Sequence, residues 1–251
     1  MFIETQTSFG YTESVPIKLM TSREETARHI VDICHRLYDR RLVTATDGNV
    51  SARLAGGTII VTPSNLAKGR VTESDLVEVQ VDATPVSGKR RPTSELGMHL
   101  FIYRERPDVG AIVHTHPPHA TAFAAARKPL DCDVFPEVFA GLGRVPLARY
   151  ATPSTDEVAR SIAPYVKTAR AILLANHGVV TYGRTLEDAF TAMEKVEHAA
   201  HMLFVARMLG GAKALTSGQL KKLSAAMKEG GAGYGAPTQS KGQNTRRRRN
   251  H

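Results

Sequence analysis

Residues 111–117 read AIVHTHP, an apolar run that ends in two histidines and a proline. The apolar run predicts a buried strand over residues 109–115. Side chains two positions apart on a strand project from the same face, so His114 and His116 are able to reach one ion at about 2.0–2.1 Å from each nitrogen. The spacing therefore predicts half of a metal site, although two surface histidines near a strand end would show the same spacing.

Strand and helix patterns alternate on both sides of this strand. Residues 131–147 are broken by glycine and proline, and we assign them mostly as loop. No repeat or Pro-rich linker divides the order, so a layered α/β domain with a helix-covered sheet is the economical interpretation. We predict strands at 48–52 and 58–62 (a hairpin), 76–81 and 171–175, and helices at 22–37, 94–104, from 121, 154–165 and 186–209.

A third imidazole follows the predicted strand at residues 171–175. The sequence there is Asn176-His177-Gly178, and glycine permits the tight turn that brings His177 to the edge of the sheet. Three histidines suit Zn²⁺, and a catalytic zinc site keeps a fourth position for water, substrate or a displaceable carboxylate. Glu95, at the start of a predicted helix, offers that carboxylate and acid–base chemistry, although the helix dipole also favours an ordinary acid there.

Other histidines compete with His177 as the third ligand. His99 and His119 remain second choices. His198 and His201 are discounted because they lie on a long predicted helix, where a lone histidine is usually packed or exposed.

Three short polar segments have features of a phosphate site. They are Asp47-Gly48-Asn49, Thr62-Pro63-Ser64-Asn65 and Thr93-Ser94, each beside a predicted strand or helix. Backbone N–H groups at a helix N-terminus, with hydroxyls and an amide, bind a phosphate without many cations. Each segment alone also fits ordinary turn chemistry. No Walker or dinucleotide-binding pattern occurs.

Composition excludes several classes of protein. The chain has 251 residues, 42% of them apolar and 23% charged, which suits one globular domain. No run approaches the roughly 18 apolar residues of a membrane helix, and the first twenty residues have no apolar signal region. Two cysteines without a C-x-x-C motif fit a reducing compartment. We therefore expect a soluble, cytoplasmic protein without membrane contact.

The net charge of +9 is concentrated at the C-terminus. Lys241 and the four arginines at 246–249 supply five of these charges, which leaves a mildly basic body. A glycine-rich segment with a terminal basic run is typical of a solvated, disordered tail, and nucleic-acid binding through that tail is the alternative. We divide the chain into an extension at 1–20, a domain at 21–228 and a tail at 229–251.

Five motifs occur in a specific order along the chain. They are Gly48-Asn49-Val50-Ser51, Thr62-Pro63-Ser64, Pro92-Thr93-Ser94-Glu95, His114-Thr115-His116-Pro117 and Asn176-His177-Gly178. In this order they resemble the class II aldolase/adducin family, from about Ser22 to Leu209. The resemblance implies a three-layer α/β/α sandwich around a mixed, largely antiparallel central sheet. It also implies one Zn²⁺ per subunit on His114, His116 and His177, and a cyclic homotetramer with sites between subunits.

Within this family, the chain is most similar to the fuculose-phosphate aldolases, whose catalytic glutamate falls on Glu95. The epimerases carry aspartate there. Asn65 replaces a frequent glycine, and asparagine also adopts the left-handed conformation. The phosphate-binding positions fall on Gly48, Asn49, Ser64, Asn65, Thr93 and Ser94.

The resemblance predicts cleavage of a phosphorylated sugar, a ketose 1-phosphate, to dihydroxyacetone phosphate and a small aldehyde. Glu95 acts as the acid–base group and as the displaceable metal ligand. A dehydratase, decarboxylase or epimerase of the same family is the alternative. The family's aldolases use a tyrosine to protonate the aldehyde oxygen, and this chain has no obvious equivalent of it after His119. Tyr234 is either the counterpart of the family's C-terminal tyrosine or an unrelated residue. Adducin-like members lack the histidines, so an enzyme is favoured.

Overall fold

The structure is a computed structural model, and it describes residues 22–229 of the protein. A mixed sheet runs through this part of the chain. The strands are β1 (Asn49–Arg53), β2 (Ile59–Val61), β3 (Val77–Val79), β4 (Pro85–Ser87), β5 (Ala111–Thr115), β6 (Leu147–Ala148), β7 (Ala171–Leu174) and β8 (Gly178–Gly183). Their order in the sheet is β4-β3-β2-β1-β5-β8-β7-β6. Only β6 and β7 pair in parallel among these strands, so the predicted mixed, largely antiparallel sheet is confirmed.

Helices cover both faces of the sheet and bury two separate apolar cores. The core on one face includes Val113 of β5, and that on the other includes Ile112, because neighbouring strand residues point to opposite faces. The helices are α1 (Arg23–Asp39), α2 (Leu96–Glu105), α3 (Pro118–Ala125), α4 (Pro136–Leu142), α5 (Asp156–Ile162), α6 (Leu186–Met208) and α7 (Ser217–Glu229). Helices α1, α3, α4 and α6 contribute to the first core, whereas α2 and α5 contribute to the second.

Local sequence signals define the ends of the long helices. The hydroxyl of Ser22 accepts a hydrogen bond from the Glu25 N–H at 3.0 Å and so caps α1. Thr185 and Asp188 form a reciprocal capping box at the start of α6. Beyond the C-terminal end of α6, Gly210 takes a positive φ of 104°, which favours glycine.

The strand register brings distant parts of the chain to one place. β5 lies between β1 and β8 in the sheet. Asn49 is the register partner of His114 across the β1–β5 pair, and Val180 is its partner across the β5–β8 pair. The predicted hairpin of β1 and β2 is also formed. The histidine strand is therefore central, with polar residues of β1 beside it.

Several predicted elements differ from the structure. The assignment of 131–147 as mostly loop was wrong, because Pro136 begins helix α4 at the position where proline is favoured and β6 follows. Helix α3 begins at Pro118 rather than at 121. Strands β4 and β8 and helix α7 were not predicted from the sequence. β8 has glycine at both ends, which resembles turn chemistry more than a strand.

No helix within residues 22–229 is long and apolar enough to cross a membrane. The predictions of an extension at 1–20 and of a disordered tail lie outside the described residues, except for Glu229 at the end of α7. Tyr234 and the basic run also lie outside them.

Candidate active site

Three imidazoles meet at the end of β5. His114 lies on β5, His116 follows it, and His177 lies in the turn between β7 and β8. Their potential ligand nitrogens are all within 4.8 Å of one another, and the Nε2 atoms of His114 and His116 are 3.2 Å apart. Two ligand nitrogens of a tetrahedral zinc site lie roughly 3.3 Å apart, given bonds of 2.0–2.1 Å. The donor set therefore fits a divalent cation.

Neighbouring groups orient these rings. The Nδ1–H of His114 donates a hydrogen bond to the carbonyl oxygen of Val179 at 2.8 Å. This bond directs Nε2 of His114 toward the other two rings, as in metal sites where a backbone carbonyl fixes the imidazole. The carboxylate of Asp47 lies 3.7 Å from Nδ1 of His116.

Glycine is required directly after His177. A Cβ atom on Gly178 would lie 2.5 Å from the carbonyl oxygen of Thr115 and 2.5 Å from Cδ2 of His116. No side chain fits at that distance, so β8 approaches β5 this closely because residue 178 is glycine. The turn thereby brings His177 within reach of His114 and His116.

Glu95 lies against the same imidazoles. It is the residue directly before α2, and it is 9% exposed. Its Oε2 is 2.9 Å from Nε2 of His114, and its Oε1 is 3.2 Å from Nε2 of His177. The structure thus places the predicted displaceable carboxylate beside the predicted ligands.

The charges of this cluster shift its pKa values in opposite directions. Burial raises the pKa of Glu95, but interactions with His114, His177 and Asn49 outweigh burial and lower it. Burial lowers the pKa of His114, but the carboxylate of Glu95 outweighs burial and raises it. Burial and the charge of His114 lower the pKa of His116 and of His177 to about 4 each. At neutral pH these two rings are therefore neutral, the form that binds a metal.

A line of buried polar side chains continues from Glu95 into the core. The Nδ2–H of Asn49 donates to Oε2 of Glu95 at 3.0 Å, and Oδ1 of Asn49 lies 2.6 Å from Nε2 of His99. Nδ1 of His99 lies 2.7 Å from Oγ of Ser51, which lies 2.8 Å from the hydroxyl of Tyr103. Burial lowers the pKa of His99 to about 3, so this imidazole is neutral.

Comparison with known families identifies the domain. The sequence profile described as "Class II Aldolase and Adducin N-terminal domain" matches residues 28–204. The chain belongs to the class II aldolase/adducin family. Its enzymes include the class II aldolases, which are metal-dependent lyases, and the three-histidine group agrees with that chemistry.

Named relatives of this class II aldolase domain are aldolases of sugar phosphates. An L-fuculose phosphate aldolase of Methanococcus maripaludis is 36% identical over 70% of this chain and 95% of its own length. A 5-deoxy-D-ribulose 1-phosphate aldolase of Bacillus thuringiensis serovar kurstaki is 32% identical over 82% of this chain and 95% of its own. A solved L-fuculose 1-phosphate aldolase superposes with a TM-score of 0.76 and 31% identity, covering 84% and 98% of the two chains.

The segments of this class II aldolase that we predict to bind phosphate lie side by side. The N–H of Thr93 donates to the carbonyl of Thr62 at 3.1 Å, and the N–H of Val50 donates to the hydroxyl of Thr62 at 3.1 Å. Asn65 has a φ of 56°, the left-handed conformation expected of it. Gly48 has a φ of 73°, and a Cβ there would lie 2.8 Å from the carbonyl of His114.

Exposure separates the predicted phosphate ligands into two groups. Ser94 and Asn65 are exposed and Ser64 is half-buried, whereas Asn49 and Thr93 are buried. Both ends of the Asn49 amide are already engaged, by Glu95 and His99. Its predicted phosphate contact is therefore limited to its second Nδ2–H.

The other candidate histidines lie outside the group formed by His114, His116 and His177. His99 bonds to Asn49 and Ser51, as described above. Both the backbone N–H and the Nδ1–H of His119 donate to Oε1 of Glu197, and its ring stacks on His201 with centroids 4.1 Å apart. His198 is exposed on α6.

Two groups support this site in roles that were not predicted from the sequence. The carbonyl of Val179 orients His114, but a backbone oxygen leaves no signal in side-chain chemistry. His99 supports Asn49, and it lies four residues after Glu95, the spacing that places two side chains on one face of a helix.

Proposed function

We propose that this protein is a zinc-dependent aldolase that reversibly cleaves a ketose 1-phosphate to dihydroxyacetone phosphate and a small aldehyde. The observation that carries the proposal is the Glu95 carboxylate, which lies within 3.2 Å of both His114 and His177. An acid–base group beside a set of metal ligands is what this reaction requires. The names of the relatives support a substrate similar to fuculose 1-phosphate.

The histidines have the role of holding the ion. His114, His116 and His177 would bind one Zn²⁺ per subunit through imidazole nitrogens, with Glu95 as a displaceable fourth ligand. The bound ion supplies Lewis-acid chemistry, which polarises the ketose carbonyl and stabilises the negative charge that develops as the C3–C4 bond breaks.

Glu95 moves the proton in this proposal. In the direction of synthesis it takes a proton from C3 of dihydroxyacetone phosphate, and in the direction of cleavage it returns that proton. Its pKa is lowered by its neighbours, so the carboxylate is ionised at neutral pH. The 9% exposure of the residue limits competition from water.

The phosphate anchors the substrate relative to this carboxylate. A fixed phosphate determines which carbon faces Glu95, and such positioning contributes to the rate. The adjacency of the three polar segments supports a single phosphate site there. The residues proposed for it are Gly48, Asn49, Ser64, Asn65, Thr93 and Ser94.

A product assay tests the function. Zinc-loaded protein is incubated with a panel of ketose 1-phosphates that includes fuculose 1-phosphate and 5-deoxyribulose 1-phosphate. Release of dihydroxyacetone phosphate is followed through its reduction by glycerol-3-phosphate dehydrogenase and NADH. We expect release from at least one member. Release of water or carbon dioxide, or epimerisation without any triose phosphate, would identify the dehydratase, decarboxylase or epimerase alternative instead.

We also propose a homotetramer with sites between subunits. Large apolar side chains are exposed near the end of α6, where Phe204 is 50%, Met208 74% and Leu209 82% exposed. Such a patch is typical of a protein interface. Light scattering after size exclusion should give a tetrameric mass, and a monomeric mass at working concentration would refute this assembly.

A further inference from the structure

The hydrogen bonds behind Glu95 have a defined direction. An ionised carboxylate only accepts, so the atom of Asn49 that faces Glu95 must be Nδ2, and Oδ1 must face His99. Oδ1 also only accepts, so the Nε2 of His99 carries the proton. Nδ1 of His99 then accepts from the Ser51 hydroxyl, which in turn accepts from Tyr103. One charge thereby fixes the orientation of four side chains.

Burial makes this arrangement sensitive to the loss of any member. Ser51 and His99 are fully buried, Tyr103 is 1% exposed and Asn49 is 4% exposed. Water therefore cannot replace a lost partner without a new cavity, and an unpaired polar atom inside a protein is costly. Without the His99 N–H, Oδ1 of Asn49 would be buried without a donor, so the amide would shift to find one and its N–H would no longer be held at Glu95.

We infer that His99 is a positioning residue for the reaction, which holds the Asn49 amide so that its N–H is directed at the Glu95 carboxylate. This inference rests on the proposed acid–base role of Glu95. Among the described residues, the hydrogen bonds of the His99 ring go to Asn49 and Ser51. Its effect therefore reaches the reacting atoms through Asn49 and Glu95.

A spectroscopic measurement tests the hydrogen-bond direction without turnover. Nitrogen-15 NMR of labelled histidine distinguishes the two neutral tautomers, and the His99 signals are assigned by their loss in the His99→Gln protein. We expect His99 to be neutral with the proton on Nε2. A proton on Nδ1, or on both nitrogens, would overturn the direction and with it the proposed role.

Variants test the positioning itself. His99→Phe keeps an aromatic ring and removes both hydrogen bonds, whereas His99→Gln has an amide that is able to donate to Asn49. Loss of a supporting residue of this kind typically costs about 10–100-fold in activity. We expect that fall in kcat for His99→Phe, with little change in KM, normal zinc content and recovery in His99→Gln. Tyr182→Phe is the control, because it removes a buried hydrogen bond to the carbonyl of Val166 outside this line.

A structure of His99→Phe completes the test. We expect the Asn49 amide and the Glu95 carboxylate to be displaced from each other. An unchanged Asn49–Glu95 bond, or a wild-type kcat per zinc-loaded molecule, would refute the role of His99. Failure of the proposed function is a separate outcome, because the wild type would then release no triose phosphate whatever the tautomer and the variant structure show.

Discussion

Oε2 of Glu95 lies 2.9 Å from Nε2 of His114, the nitrogen that the Val179 hydrogen bond leaves for a metal. A divalent cation bound to this nitrogen would therefore share the imidazole with the carboxylate. This relationship explains why the pKa of His114 is raised while that of Glu95 is lowered. It would also couple metal binding at His114 to the protonation of that ring and to the charge of Glu95.

Replacing His177 by alanine should remove most of the zinc affinity. The variant loses one of three imidazole ligands, so we expect a larger loss than the roughly 10–100-fold that an outer-shell change costs. Zinc content after dialysis against a competing chelator measures the loss. His201→Ala is the matched control, since His201 stacks on His119 outside the three-histidine group. Full zinc occupancy in His177→Ala would show that another residue is the third ligand.

Replacing Glu95 by glutamine should stop proton exchange but retain zinc. Glutamine keeps the shape of the side chain and cannot accept the C3 proton, and loss of a general base typically costs about 10²–10⁴-fold. Exchange of the C3 proton of dihydroxyacetone phosphate with deuterium is followed by NMR. Glu105→Gln, at the other end of α2, is the control, because Glu105 pairs with Lys167 at the surface. An unchanged exchange rate in Glu95→Gln would exclude Glu95 as the base.

Zinc binding should release a proton at pH values below the raised pKa of His114, because metal binding requires deprotonated ligands. His116 and His177, with pKa values of about 4, are already neutral. The raised pKa of His114 makes it the first of the three rings to gain a proton as the pH falls. Zinc affinity should therefore fall as the pH is lowered through the range in which His114 gains its proton.

Calorimetry in buffers with different ionisation enthalpies counts the released protons. The Glu95→Gln protein is the matched comparison, because it lacks the carboxylate that raises the pKa of His114. Its proton release at the same pH should be smaller. Equal release from the two proteins would show that Glu95 does not control the protonation of His114.

Local sequence patterns predicted the elements that carry the site, but not the contacts that orient it. The apolar run before His114 gives β5, and the capping residues give α1 and α6. The close approach of β8 to β5 was not visible, because it depends on a glycine that also fits a turn. The pairing of Asn49 with Glu95 depends on strand register and helix packing, which bring together residues 46 positions apart.

Adding a methyl group at Gly178 should destabilise the protein and weaken zinc binding together. The new Cβ would lie 2.5 Å from both the Thr115 carbonyl and the His116 ring, so β8 must move away from β5. Overpacking of this kind typically costs about 1–3 kcal/mol of unfolding free energy. Urea unfolding measures the cost, and zinc content reports the displacement of His177.

Gly97→Ala is the control for Gly178→Ala. Gly97 lies in the first turn of α2, and nothing is within 4 Å of a Cβ placed there. Replacing a helical glycine by alanine gains roughly 0.5–1 kcal/mol, because glycine loses more backbone freedom on folding. The two substitutions should therefore shift the urea midpoint in opposite directions. A Gly178→Ala protein as stable as the wild type, with full zinc content, would show that the β5–β8 contact does not position His177.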